Sequence, residues 1–246
     1  MNNLIKGAKK KTYTSAGSLI FTGESSNEKA KISTFQLKQG KSSFIETVSL
    51  DEIKNSIKED AQTWINVIGL HDVTTIRKIG EQFEIHPLIL EDALNIHHLP
   101  KMEEYFKYIF FTMKSVSFHD KKDIKENHVT LLLGDQVIFS FQQYKDPVFD
   151  HVRERLTKRT IDSVGADFIF YVIIDFLTDS YYPVLEKIEE DMQKLEDSLI
   201  YNTGRDHIGS IIKKRKQLIL LRKLLSSLEE EIKKLKKTDH ILIDKK

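Results

Sequence analysis

His128-Val129-Thr130-Leu131-Leu132-Leu133-Gly134-Asp135-Gln136-Val137-Ile138-Phe139-Ser140-Phe141 is the stretch that decides the fold. Its two halves, His128–Leu133 and Gln136–Phe141, are rich in β-branched and aromatic residues and flank Gly134-Asp135. Such runs read as paired strands, and a leading Gly suits a two-residue II′ hairpin turn. Just upstream, Tyr105–Phe118 reads as one long strand. It carries Tyr108, Phe110 and Thr112 on one side and Ile109, Phe111 and Met113 on the other.

Working outward, Ser18–Phe21, Ile32–Leu37, Phe44–Val48 and Trp64–Ile68 are further strand candidates. Val73–Phe83 reads as a helix with Asp72 as N-cap. Another helix starts at His86-Pro87, where a proline at the first helical position loses no hydrogen bond. It carries Leu88, Ile89, Glu91, Asp92 and Leu94. Pro147–Lys158 is a third, lined by Val148, Val152 and Leu156. Strands and helices mixed in this way, with an evident hairpin, indicate an α/β (α+β) fold whose mixed sheet is covered by helices.

After Gly165 the character changes. Tyr181, Leu185, Ile188, Met192, Leu195 and Leu199 repeat at spacings of four and three. Beyond Asn202-Thr203-Gly204 a second stripe follows: Leu218, Leu221, Leu225, Leu228, Ile232 and Leu235. These are the seams of a long antiparallel helical hairpin. The first helix bears Glu186, Glu189, Glu190, Asp191, Glu196 and Asp197, and the second opens with Lys213, Lys214, Arg215 and Lys216. Opposite charges can pair across the hairpin, each exposed pair contributing only ~0–1 kcal/mol. The expected organisation is a loose basic tail over residues 1–16, a sandwich domain over 17–165 and the hairpin over 166–246.

Composition narrows the function. The 246 residues carry 38 basic and 37 acidic side chains, a formal net charge of +1, which argues against a general nucleic-acid binder. The absence of cysteine excludes disulfides, thiolate nucleophiles and Cys-based zinc sites. The longest apolar run, Phe168–Ile174, falls short of the ~20 residues a membrane helix needs, so the chain as it stands reads as soluble. Lys6, Lys9, Lys10 and Lys11 have no apolar segment behind them and are not a signal peptide. No phosphate loop, dinucleotide fingerprint, His-Glu-x-x-His or Gly-x-Ser-x-Gly is present, and the chain does not read as an enzyme.

Carboxylates are the more informative residues. Glu91-Asp92 sits in an otherwise apolar helix. Asp175 interrupts the most hydrophobic segment of the chain, with Asp179 one turn later. An ionised Asp there is costly unless a residue such as Lys101 or Tyr181 partners it or it holds a cation. His97-His98 is the other candidate; adjacent histidines on a helix diverge by ~100°, which favours a capping or surface role over zinc ligation. Oxygen-only ligands imply a hard ion, and Mg²⁺ needs only one or two carboxylates.

The motifs carry a resemblance. Trp64-Ile65-Asn66-Val67-Ile68-Gly69-Leu70-His71 is followed by Ile79-Gly80-x-x-Phe83-x-Ile85-His86-Pro87-Leu88-x-Leu90-Glu91-Asp92-x-Leu94-Asn95. Pro100-Lys101-x-Glu103, Val148-Phe149-Asp150-x-Val152-Arg153-Glu154-Arg155, Ile174-Asp175-x-Leu177 and Leu185-Glu186-Lys187-Ile188-Glu189 come next. In this order and spacing, from about residue 60 to the end, the sequence resembles the CorA family of magnesium and cobalt transporters. The resemblance implies an αβα sandwich, a homopentamer with a funnel-shaped cytoplasmic assembly, and a long stalk helix entering the cell membrane. It implies that Glu91, Asp92 and Asp175 are ligands of a regulatory Mg²⁺ or Co²⁺ between subunits, with Asp179 a weaker fourth and His97 at most a support. No organic cofactor is implied.

The family's Gly-Met-Asn signature, its two membrane helices, most of the stalk and the stalk aspartate that completes each site would follow Lys246. The chain therefore reads as a piece of a longer multi-pass membrane protein, monomeric or weakly oligomeric by itself. The expected function is the cytoplasmic regulatory domain of such a transporter, sensing internal Mg²⁺ to gate the pore. A related zinc transporter and a non-transporting coiled-coil adaptor remain open alternatives.

Overall fold

The computed structural model of the chain describes residues 15–38, 40–46, 49–58, 60–119, 123–158, 165–201 and 206–243. Strands β6 (Asp123–Gly134) and β7 (Val137–Gln142) form the expected antiparallel hairpin, but its turn is of another type. Gly134 pairs with Val137 as a strand residue, and Gln136, at φ 57°, takes the left-handed position. Packing is what demands the glycine: a Cβ on Gly134 would stand 2.8 Å from Cε1 of Tyr108.

Five further strands complete a seven-stranded sheet: β1 (Lys31–Lys38), β2 (Lys41–Ile45), β3 (Gln62–Ile68), β4 (Lys101–Tyr105) and β5 (Tyr108–His119). The order is β2-β1-β3-β7-β6-β5-β4. Only the β3–β7 pairing is parallel, so the sheet is mixed as expected.

Three strand expectations need correction. Tyr105–Phe118 is two antiparallel strands, because the chain reverses at Phe106-Lys107 and leaves the Phe106 ring 95% exposed. Ser18–Phe21 forms no strand. Its Leu19 and Phe21 pack against a helical layer, and Thr22 N–H then donates to Leu94 O at 3.2 Å. Apolar burial, without ladder pairing, satisfies that composition. β2 ends at Ile45, and Thr47 and Val48 lie outside the described residues, as do residues 1–14 of the expected tail.

Seven helices are described: α1 (Leu50–Ser56), α2 (Val73–Gln82), α3 (Pro87–Ala93), α4 (Val148–Lys158), α5 (Ala166–Asp179), α6 (Tyr181–Tyr201) and α7 (Asp206–Lys237). The capping box Ser49-x-x-Glu52 marks α1, and Asp72 caps α2 by accepting from Thr75 N–H. One face of the sheet (Ile65, Val67, Phe110, Leu132, Phe139) packs under α2 and α3 through Ile76, Ile79, Ile89 and Leu90. The other face (Ile109, Phe111, Leu131, Leu133, Ile138) packs under α4 to α7 through Val152, Phe170, Ile173, Ile188 and Leu228. Alternation along β5 feeds both cores, as the period of two requires.

Ala166–Leu199 is long and apolar enough to cross a membrane by length and composition. In this fold Ile169, Phe170, Ile173, Leu177, Tyr181 and Val184 are buried in the second core. The antiparallel hairpin is present, with Asp191 against Lys214 at 2.5 Å and Ser198 Oγ 3.3 Å from His207 Nδ1. Of the other basic residues, Lys213 turns instead to Asp123 of β6 at 2.8 Å.

Strand β4 would be an open edge, but α7 covers it. Glu231, only 6% exposed, accepts from Met102 N–H at 2.8 Å, and Ser227 donates to Pro100 O at 3.0 Å. His240 Nε2–H donates to Tyr105 O at 2.9 Å, closing the strand's far end.

Under the loop after α3 lies a polar pocket. His128 Nδ1 accepts from Lys114 Nζ at 3.1 Å, so Nε2 carries the proton and faces Thr130 Oγ1 and Thr112 Oγ1 at 3.3 and 3.4 Å. Lys114 Nζ also donates to Ile96 O. Burial, then the Lys114 charge, pushes the His128 imidazole well below its usual value. Burial likewise pushes the Lys114 ammonium down to about 8.

The unfolded chain therefore takes up a proton near pH 6.5 that the folded chain refuses at His128. Stability should fall as pH drops below 6.5, with a slope of about 1.4 kcal/mol per pH unit for one proton. Urea unfolding at pH 7.5, 6 and 5 measures the slope, and His128→Gln should flatten it. Glu231→Ala, which leaves the Met102 N–H without its acceptor, should cost about 1–3 kcal/mol in the same assay.

Candidate metal site

Helix α3 begins where Pro87 fixes the backbone and His86 Nδ1 accepts from Leu88 N–H at 3.2 Å. Ile89, Leu90 and Ala93 face the core, and Leu90 lies so close to α2 that a Cβ on Gly80 would be 2.2 Å from its Cδ1. That seating turns Glu91 and Asp92 outward, each half-buried at the surface.

Their surroundings differ. Glu91 Oε2 accepts from Gly17 N–H at 2.6 Å, pinning the segment before β1 onto the helix. Asp92 Oδ2 accepts from Lys101 Nζ at 2.8 Å, and its Oδ1 lies 3.4 Å from His98 Nε2. The same Lys101 ammonium is 2.8 Å from Glu103 Oε1, whose Oε2 accepts from Tyr105 OH at 2.6 Å. Residues 101, 103 and 105 share one face of β4, as strand alternation dictates.

Burial alone would raise the Asp92 carboxyl. Hydrogen bonds from His98 and Lys101, with the Lys101 charge, outweigh it and hold the group well below the usual carboxylate range. Burial would lower Lys101, but Asp92 and Glu103 raise it. Burial and Glu103 together keep the Tyr105 phenol protonated.

Asp175 and Asp179 lie elsewhere. Both are on the exposed side of α5, in a stripe with Tyr171 (59% exposed) that continues to Tyr182 (64% exposed) on α6. The expected burial cost at Asp175 does not arise, because the helix turns its apolar residues inward around it. Neither suggested partner goes there: Lys101 binds Asp92, and the Tyr181 hydroxyl donates to Lys114 O at 2.9 Å.

Helix α3 covers one face of the sheet and α5 the other, so Glu91 and Asp92 are not brought together with Asp175 and Asp179 within the chain. Among the described residues no group of three or more His, Asp or Glu is arranged to hold a metal ion. His97 and His98 both sit in the loop after α3. His98 faces Asp92, while His97 N–H donates to Asn95 Oδ1 at 3.3 Å.

The donor chemistry at α3 nevertheless suits a hard cation. Two adjacent carboxylates give oxygen ligands only, and Mg²⁺ completes its shell with water. Any inner-sphere ion on Asp92 Oδ2 must displace Lys101. Pro100-Lys101-x-Glu103 stands out in the sequence as a motif, with Lys101 one possible partner of Asp175. Reading 101, 103 and 105 as one strand face would have found the cluster.

This architecture is shared with proteins of known structure. The soluble domain of CorA from Methanocaldococcus jannaschii superposes with a TM-score of 0.69 at 18% identity, covering 86% of this chain and 82% of that one. The ZntB cytoplasmic domain from Vibrio parahaemolyticus does so with a TM-score of 0.67 at 13% identity, covering 86% and 81%. These likenesses define the fold as that of the CorA and ZntB domains.

Sequence decides the family. The profile described as CorA-like Mg²⁺ transporter protein matches residues 59–246, and the chain belongs to that family. It is 30% identical over 234 residues to the cobalt/magnesium transport protein CorA of Thermotoga maritima, covering 93% of this chain and 66% of that protein. It is 23% identical over 179 residues to the protein of the same name from Methanocaldococcus jannaschii, covering 72% of this chain and 55% of the relative. The chain thus spans less than two thirds of the length of either relative.

Glu91→Ala removes the acceptor for Gly17 N–H. Amide hydrogen exchange at Gly17 should accelerate by about tenfold or more, while exchange in β5 and β6 stays unchanged.

Proposed function

We propose that this chain is the cytoplasmic regulatory part of a membrane transporter for Mg²⁺ or Co²⁺, and that it works as a homopentamer. Internal Mg²⁺ held by Glu91 and Asp92 of one subunit, and by Asp175 with Asp179 alongside, joins neighbouring subunits and favours a closed pore. The names of the relatives and the family membership support the transport role.

One observation carries the sensing role. Asp92 is a carboxylate kept ionised in a half-buried position beside Glu91, while the other acidic pair faces outward from the opposite layer of the sheet. Two half-sites on opposite faces suit an ion shared between copies better than an ion held within one. Binding that stabilises one state by RT ln(1 + [L]/Kd) at each site multiplies around a ring, so modest affinity suffices for a sharp response.

When Mg²⁺ falls, the facing carboxylates repel and the ring loosens. The carboxylates of Glu91, Asp92, Asp175 and Asp179 favour a hard ion, whereas zinc sites prefer nitrogen and sulfur and would draw on the His98 ring beside Asp92. The fold itself does not separate the two, since CorA and ZntB domains superpose about equally well.

In the full-length protein, Asp92→Asn combined with Asp175→Asn should leave uptake running when internal Mg²⁺ is high. Mg²⁺-dye fluorescence in proteoliposomes preloaded with millimolar Mg²⁺ measures this. Shut-off as sharp as in the unaltered protein would overturn the assignment.

A further inference from the structure

We propose that Lys101 is a built-in competitor for the cation site: its ammonium occupies Asp92 in the metal-free state and withdraws to Glu103 when a divalent cation arrives. The inference rests on the sensing role of Glu91 and Asp92 proposed above and concerns how that site sets its threshold.

The geometry has three parts. Lys101 Nζ stands at 2.8 Å from Asp92 Oδ2 and at 2.8 Å from Glu103 Oε1, so a single ammonium already bridges two carboxylates. Glu103 is itself held, because Tyr105 OH donates to its other oxygen at 2.6 Å. Lys101, Glu103 and Tyr105 project from the same face of β4, an element fixed by β5 on one side and by α7 on the other.

A divalent cation on Asp92 and a lysine ammonium on the same oxygen repel one another and cannot both stay. Lysine suits such a role better than arginine, being a point charge on a flexible stem without a fixed bidentate fork. Its displacement does not strand it, since Glu103 remains a partner within the distance already observed. Binding therefore exchanges one counter-ion for another, and the ion must exceed a threshold concentration before it wins.

Two substitutions then act with opposite sign. Lys101→Met removes the competitor and should tighten Mg²⁺ binding by about tenfold. Glu103→Gln removes the place to which the ammonium retreats and should weaken binding by a few-fold. Lys101→Arg keeps the charge and adds a fork that grips a carboxylate by two bonds, and it should weaken binding by a few-fold.

Isothermal titration of the full-length protein in detergent with MgCl₂ reads each affinity. Thermal melts of the same samples without Mg²⁺ confirm that each variant is folded, and Lys101→Gln replaces Lys101→Met if the latter is not. Asp92→Asn separates the two readings. If it abolishes the Mg²⁺ response while neither neutral substitution at Lys101 tightens binding, the competitor role is wrong and the sensing site stands. If Asp92→Asn leaves the titration unchanged, the sensing reading fails and the competitor role falls with it. Tighter binding in Lys101→Met, with Lys101→Arg and Glu103→Gln both weakened, is the result expected.

Discussion

A sheet buried on both faces leaves its edges as the weak point, and the closure of β4 by α7 is the contact on which the rest of this structure depends. The apolar residues of β5, β6 and β7 alternate between two cores, so neither face can be left to solvent. Two helical layers solve the faces. The edge needs something more, because unpaired backbone groups of an exposed strand would recruit other chains. Glu231 supplies an acceptor to Met102 N–H from within a helix that already packs on the second core, and Ser227 and His240 complete the seam. Because β4 is fixed in this way, Lys101 and Glu103 have defined positions, and with them the counter-ion of Asp92.

Much of this was legible in the sequence. The hairpin at Gly134, the two-sided strand β5, the caps at Asp72 and His86-Pro87 and the twin helical stripes all follow from local chemistry that tertiary contacts did not override. The errors have a common cause. Tyr105–Phe118 looked continuous because Phe106 and Lys107 do not announce a turn by composition, and Ser18–Phe21 looked like a strand because burial and ladder pairing select the same residues. Gly134 was correctly singled out for the wrong reason: its missing side chain makes room for the Tyr108 ring, while Gln136 bends the turn. The capping box Ser49-x-x-Glu52 is the local signal for α1.

The site was legible in chemistry and less so in geometry. Glu91 and Asp92 stand out in any reading of an apolar helix, and their half-burial is what the pattern implies. Asp175 stood out for a reason that does not hold, since a helix with one polar stripe can look uniformly apolar in sequence. Lys101 and Tyr181 were possible partners for it because sequence distance does not tell which layer of the sheet a residue faces. Opposite layers separate α3 from α5, and only the three-dimensional arrangement shows that the acidic groups face different neighbours.

Helix α7 has a mechanical consequence. Its 32 residues span roughly 48 Å at ~1.5 Å per residue, and it is stitched to the sheet edge only along its last third. The remainder is held by Asp191 of α6 at Lys214, by Asp123 of β6 at Lys213, and by Leu221 and Leu224 in the second core. A tilt of about 5° at Ser227 would sweep the far end through roughly 3 Å over the ~1.5 Å per residue that separates it from Asp206. The seam at β4 adjoins the Lys101–Asp92 pair, and a small rotation there becomes a displacement of several ångströms at the far end of the helix.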